Sequence, residues 1–514
     1  MSGAKALMFL GTGSDVGKSV LAAAFCRIFK NRGYRVAPFK AQNMALNSFI
    51  TPQHGEMGRA QVVQAEAAGI EPHVDMNPIL LKPTSQMGSQ VIVLGRVVGN
   101  FSAKEYYEYK QELVPVVRAA FERLSAKNDI VVMEGAGSAV ELNLKKHDLV
   151  NMAMAEMADA RCILVGDIDR GGIFASLLGS ISLFRPSERE RVIGFIVNKL
   201  RGDPRLFEDG VEILQSRSGV PVFGVVPYFS DISLPEEDSV ALGKRMTGLG
   251  QAAGPGLIRI GIVRLPFISN YTDFDPFEMD PNVELVYFDR PARVFGFDAV
   301  IIPGSKNTIE DLAALQKSGM ADALSAFHKS GGTVVGLCGG YQMMGNLVRD
   351  PHAIESSLDT ISGLGLLDME TEMYPEKITS QVEACMISQS LPFPGDRGML
   401  AGYEIHMGRS ASGGSAKPIF RIKLREGKPA DVEDGLSQPD GRAWGTYIHG
   451  IFDNDGFRNK FLEDIANRSG KKAPASGTFA FRPYKEEQYD RLAEFVLRHV
   501  DVDRITDIVF ESKT

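Results

Sequence analysis

Short apolar runs alternate with longer amphipathic stretches along the N-terminal half of the chain. Residues 6–10, 130–133, 162–165, 192–197 and 222–226 are apolar almost without interruption, as expected of strands buried on both faces. The stretches between them, such as 20–32 and 107–124, repeat apolar residues at helical spacing. This alternation predicts an α/β fold, a parallel sheet with helices on both faces. Residues 243–256 then read GKRMTGLGQAAGPG, rich in glycine and without an apolar pattern, which predicts a domain boundary. A second α/β series follows at 257–263, 283–288, 299–302, 333–337, 419–424 and 444–448. Residues 381–428 show strand-like alternation with turn residues, which predicts a partly antiparallel addition, and 489–499 reads as an amphipathic helix. The predicted organisation is a first domain over 1–241, a linker over 242–256, and a second domain over 257–514 that ends in a helical tail.

Composition narrows the class. The chain has 514 residues, enough for two to four domains, each with its own core. It is 44% hydrophobic and 23% charged, as in ordinary soluble proteins. A net charge of −8 argues against general nucleic-acid binding, which needs a basic footprint. Cys26, Cys162, Cys338 and Cys385 form no CxxC pair, so a disulfide scaffold or zinc ribbon is not expected and a reducing cytoplasm fits. The opening MSGAKALMFLGTG reads as a first strand rather than a signal peptide. No apolar run approaches the ~18 residues of a membrane span.

Two motifs carry chemistry. The first strand runs into Gly11-Thr12-Gly13-Ser14-Asp15-Val16-Gly17-Lys18-Ser19, where a helix begins. Glycines let successive backbone N–H groups face phosphate oxygens, Lys18 can reach the outer phosphates, and the Ser19 hydroxyl can ligate Mg2+. Thr12 stands where the usual spacing has glycine, bracketed by Gly11 and Gly13. Glu134 ends an apolar strand before a glycine turn, at the sheet edge where ligands bind, and is the expected acidic metal partner. Asp15 and Glu56 are weaker candidates for metal or water contacts. Asn198, at another strand end, could meet a purine edge or cap a turn. The guanine-reading NKxD pattern would need Asp where Arg201 stands, so ATP is favoured.

The second motif is Gly336-Leu337-Cys338-Gly339-Gly340 between a strand and a helical stretch at 341–348. A cysteine between such glycines has the arrangement of a nucleophile elbow. Helix N-termini favour a thiolate. The Gly339 N–H would face a developing oxyanion, with a second donor from the loop at Gly304. His449, just after an apolar strand, is the expected base; His406 is a weaker rival.

Together these residues resemble the cobyric acid synthases of cobalamin biosynthesis, over essentially the whole chain. GTGSDVGKS resembles the loop of dethiobiotin-synthetase-like ATPases. PFKAQNMALNS from Pro38 to Ser48, GRAQ from Gly58, DMNPILLKP from Asp75 and EGAGS from Glu134 resemble the family's own marks. The C-terminal half resembles class I, triad-type glutamine amidotransferases of the cobalamin branch. The likeness implies Cys338 as nucleophile and His449 as base. It lacks the His-Pro-Glu of larger triad enzymes, since Gly450 and Ile451 follow His449, so what orients the imidazole is left open. The resemblance also implies the reaction: amidation of four peripheral carboxylates (b, d, e and g) of adenosylcobyrinic acid a,c-diamide, with glutamine, ATP and Mg2+, giving adenosylcobyric acid. Lys40, Gln42, Asn43, Asn47 and Lys82 are the candidates to hold the corrinoid.

Two rival readings make different demands. A dethiobiotin-synthetase-like enzyme with an accessory domain would need no Cys338 for nitrogen supply. A partitioning-type ATPase would carry a lysine early in the loop, where this chain has Thr12, and would need a basic face or membrane tail.

Overall fold

The structure, a computed structural model, describes residues 3–83, 88–229, 231–235, 256–388, 391, 398–474 and 477–511. The linker expected at 242–256 lies, apart from Gly256, outside the described residues. The chain divides into two compact units: Met1–Ala45, Gly55–Pro235 and Lys485–Thr514 form one, and Leu46–His54 with Glu236–Tyr484 form the other.

The first unit is built on a six-stranded parallel sheet. Its order is Val222–Pro227, Val192–Leu200, Arg161–Asp167, Lys5–Gly11, Ile130–Glu134, Val36–Phe39. Leu7, Met8, Phe9 and Leu10 are fully buried, so the unbroken apolar run fits a central strand covered on both faces. Helix Lys18–Asn31 covers one face through Phe25, Ile28 and Phe29. Register sets the chemistry at the carboxyl edge: Phe9 pairs with Glu134 and Gly11 with Val165. The helix Phe481–His499, from Lys485 onward, and the helix Val502–Phe510 belong to this unit. Arg27 holds the first of them, with Nε and Nη2 on Asp490 at 2.7 Å each and Nη1 on Glu486 at 2.7 Å.

The second unit has five parallel strands in the order Val283–Phe288, Ile258–Val263, Ala299–Ile302, Thr333–Leu337, Ala443–Thr446. An antiparallel extension follows through Lys428–Ser437, Lys417–Arg425, Met369–Met386 and Leu400–Ser412. The alternation at 381–428 therefore did mark antiparallel pairing. Buried Trp444 packs edge-on against Phe452, Phe457 and Phe461.

Three elements depart from the sequence expectation. The stretch 107–124 is not one helix: Ala103–Tyr109 and Val114–Ser125 are joined by a 3-10 turn at Lys110–Leu113. Pro115 explains the break, because it lacks an N–H and crowds the preceding turn. The helix expected at 341–348 stops at Met343. Asn346 N–H instead donates to Met369 O at 2.7 Å, and Leu347–Arg349 becomes a strand beside Glu370–Glu372. The strand expected through 448 ends at Thr446, where Tyr447 N–H turns to Asp434 Oδ1 at 3.2 Å.

Candidate functional site

In the first unit, the strand Lys5–Gly11 ends and the chain folds tightly into the helix at Lys18. Gly17 has φ 101°, and a side chain there would strike Asn198, so only glycine fits. Thr12 N–H donates to Val165 O at 3.0 Å, which ties the loop to the sheet. Lys18 Nζ donates to Gly13 O at 2.8 Å and Gly137 O at 3.1 Å, curling back over the loop where phosphates would lie.

Glu134 gathers the remaining groups. Its Oε1 accepts from Ser19 Oγ and from Lys40 Nζ, both at 2.8 Å, and its Oε2 accepts from Gln64 Nε2 at 2.7 Å. Burial pushes this carboxyl up, but Lys40, Lys18 and the Ser19 hydroxyl outweigh burial and hold it below its ordinary range. The pair fits a hard divalent cation. Ser19 Oγ and Glu134 Oε1 are 2.8 Å apart, close to the ~3.0 Å between neighbouring corners of an octahedron with ~2.1 Å bonds. Among the described residues no group of three or more His, Cys, Asp or Glu side chains gathers for a metal. A cation here would thus draw its other ligands from phosphates and water.

The structure scatters some of the expected residues. Asn198 Nδ2 donates to Val16 O at 2.9 Å, so this amide supports the loop backbone. Asp15, at φ 58°, accepts from Arg170 at 3.2 Å. Glu56 is fully buried and ion-paired with Lys82 at 2.8 Å, so an expected metal residue and an expected substrate residue meet each other. Gln42 Oε1 accepts from Tyr106 OH at 2.6 Å, and Asn43 Nδ2 donates to Gln61 Oε1 at 3.1 Å. Asn47 groups with the second unit, where its Oδ1 accepts from Tyr271 N–H at 3.1 Å. Gln64 was missed by the sequence reading; its only signal was its place one helical turn after the GRAQ stretch.

In the second unit, Cys338 sits at φ 50° and ψ −108° between the strand Thr333–Leu337 and the short helix Gly339–Met343. This is the strained turn expected of a nucleophile elbow. Gly340 makes it possible: a Cβ there would lie 2.1 Å from Ile302 O. Strand register brings the partners in, since Leu337 pairs with Thr446 and Gly336 with Ile302. His449 follows the first of these neighbours and Gly304 the second. A Cβ on Gly339 would come within 2.8 Å of Ser305 N, and one on Gly304 within 3.4 Å of His449 Cε1. Gly304, Gly339, Cys338 and His449 therefore converge. The Cys338 thiol donates to Ile405 O at 3.5 Å.

The group that orients His449 is Asp273. Its Oδ2 lies 2.6 Å from His449 Nδ1, and its Oδ1 accepts from Gly450 N–H at 2.8 Å. His449 and Asp273 are both buried. Burial pulls the imidazole down, but the Asp273 carboxylate, by charge and hydrogen bond, and the neighbouring Cys338 outweigh it; the ring is pushed up to about 10. Tyr403 stacks on the ring with centroids 5.2 Å apart. Asp311, raised to about 7 by burial, accepts from Phe267 N–H at 3.0 Å and from Ser305 Oγ at 2.5 Å, fixing the Gly304–Ser305 turn. His406, the rival base, instead donates from Nδ1 to Gly408 O at 2.7 Å and stacks on Tyr447.

Comparison with known proteins agrees with this division. Residues 7–241 match the family described as the CobQ/CobB/MinD/ParA nucleotide binding domain. Residues 259–457 match the CobB/CobQ-like glutamine amidotransferase domain. The cobyric acid synthase of Syntrophobacter fumaroxidans is 70% identical, over 98% of this chain and 99% of its own length. Those of Desulfitobacterium hafniense and Sorangium cellulosum are 48% and 47% identical, over 98% of both chains in each case.

Proposed function

The chain belongs to the cobyric acid synthase family, and from that premise we propose how its two sites divide the work. It is a glutamine amidotransferase ligase that forms amides in cobalamin biosynthesis, with a nucleotide-binding domain and a glutamine amidotransferase domain. The finer reading is that it amidates the b, d, e and g carboxylates of adenosylcobyrinic acid a,c-diamide in the cytoplasm, with one ATP and one glutamine for each.

A carboxylate cannot be amidated directly, because oxide is not a leaving group. In the first unit a substrate carboxylate oxygen attacks the γ-phosphorus of ATP. The bond to the β-phosphate oxygen breaks, ADP leaves and an acyl phosphate forms. The N–H groups of the loop at Gly13, Asp15 and Gly17 and the Lys18 ammonium hold the phosphates, with Thr12 tying the loop to the sheet and Asn198 bracing its backbone. Ser19 and Glu134 would hold Mg2+, which neutralises phosphate charge when bound; Glu56 would act further out. Gln42 and Asn43 would meet the corrinoid's acid and amide groups, while Lys40 and Lys82 are held on Glu134 and Glu56.

In the second unit the Cys338 sulfur attacks the glutamine amide carbon. The developing oxyanion is held by backbone N–H groups near Gly339 and Gly304. His449, steadied by Asp273, takes the thiol proton and gives it to the departing nitrogen, and ammonia leaves. Water then attacks the thioester, releasing glutamate and the thiol. Ammonia attacks the acyl phosphate carbon, and inorganic phosphate departs with the amide formed.

The observation that carries this reading is the strained Cys338 beside a buried His449–Asp273 pair. The test is mass spectrometry of the corrinoid after incubation with ATP and glutamine. Successive mass steps of one amidation, up to four, are expected. A corrinoid whose mass never changes, while ATP and glutamine are consumed, would contradict it.

A further inference from the structure

The segment Leu46–His54 interrupts the sequence of the first unit but groups with the second, and Ala45 and Gly55 on either side of it group with the first. Within the second unit it touches the supports of both reacting side chains. On the His449 side, Ser48 N–H donates to Asn270 Oδ1 at 3.3 Å, and Asn270 Nδ2 stands 3.4 Å from His449 Nε2. Asn47 Oδ1 accepts from Tyr271 N–H at 3.1 Å. Asn270 precedes and Tyr271 opens the turn Tyr271–Phe274, which carries Asp273, the partner of His449 Nδ1. Asn270, just before this turn, is left-handed at φ 52°. On the ring face, Phe49 packs against Tyr403 with centroids 5.3 Å apart, and Tyr403 OH donates to Ser48 O at 3.4 Å. Tyr403 in turn stacks on His449 and exchanges backbone hydrogen bonds with it at 2.8 and 3.1 Å. On the sulfur side, buried Ile50 packs with Tyr403 and Ile405, and Ile405 O receives the Cys338 thiol.

We infer that Leu46–His54 is a positioning element of the glutaminase site, with Asn47 and Phe49 setting the orientation of His449 through the Asn270–Asp273 turn and Tyr403. Asn47 is then removed from the corrinoid-binding set and given to glutamine hydrolysis. The inference rests on the assignment of Cys338 and His449 made above. Its physical basis is that a base misaimed by a fraction of an ångström loses rate while its substrate still binds.

The test compares glutamine-supported with ammonia-supported amidation in the full-length enzyme. Asn47→Ala and Phe49→Ala should each lower the ratio of the two rates by about tenfold. The loss should fall on kcat for glutamine hydrolysis, with the corrinoid KM unchanged and the high-pH limb of the glutaminase profile moved to lower pH. Phe49→Tyr, which keeps the ring, should restore the ratio. Should Asn47→Ala not fold, Phe49→Leu reads the same ratio with most of the apolar volume retained. A parallel fall in both rates, or a raised corrinoid KM with an unchanged ratio, would overturn the inference and return Asn47 to the corrinoid. Cys338→Ser is run alongside: if it still used glutamine, the assignment of the nucleophile would fail independently of Asn47.

Discussion

The phosphate site and the thiol site are both built where a parallel strand turns into a helix, yet they are assembled in different ways. At the phosphate site the loop is one run of sequence, and its charged side chains already have protein partners. Glu134 holds Ser19, Lys40 and Gln64, and Lys18 folds onto backbone carbonyls. At the thiol site each group comes from a different segment, and the acid is 176 residues from its histidine. A phosphate cradle needs backbone N–H groups and a cation, which a short loop supplies. Acyl transfer needs a nucleophile, base and orienting acid on separate walls of a cleft, which only the sheet can gather.

Removing one group from each site sharpens the contrast. Cys338→Ser should cut glutamine-supported amidation by about 10⁴-fold or more, because a nucleophile has no substitute. Ammonia-supported amidation, assayed with ammonium chloride, should persist. Lys18→Ala should lower both routes together, by about 10³-fold, measured as ADP release and amide formation. Survival of either route would break the division between the sites.

Asp273→Asn is expected to have a smaller and more specific effect. Glutamine hydrolysis should fall about 100-fold, with ammonia use intact. The pH profile gives the sign. Asp273 and Cys338 raise His449 to about 10, so the imidazolium persists until pH rises through that value. Stability from this pair is fully present below the free-imidazole pKa of about 6.5 and is lost as pH climbs toward 10. Without the Asp273 carboxylate, the high-pH limb of glutaminase activity should move down. An unmoved limb would mean that Asp273 does not act through His449.

The smallest effect is structural. Gly340→Ala would push a methyl group onto Ile302 O, 2.1 Å from its ideal position. A loss of about 1–3 kcal/mol is expected, read as earlier thermal unfolding with glutamine use impaired more than ammonia use.

What the sequence disclosed follows the same contrast. The phosphate loop, Glu134 and the Cys338 elbow were legible because their partners are adjacent in the chain or fixed at strand ends. Asp273 was not. It lies in TDFDPFEMD, where Asp273, Asp275 and Glu278 are equally plausible by type, and only the 3-10 turn Tyr271–Phe274 aims one of them at His449. Lys40 was expected at the corrinoid, but its placement on Glu134 depends on the register of neighbouring strands. The same holds for Asn47, whose side chain is read only once its segment is seen to group with the second unit.

The account stands on nitrogen freed at Cys338 being the nitrogen that enters the corrinoid. Wild-type enzyme supplied with ATP, corrinoid and amide-15N glutamine, in the presence of unlabelled ammonium at low concentration, measures this directly. Each new amide is expected to carry 15N, and Cys338→Ser under the same conditions should incorporate only unlabelled nitrogen. Amides formed by the wild type without the label, or labelled amides from Cys338→Ser, would contradict the account.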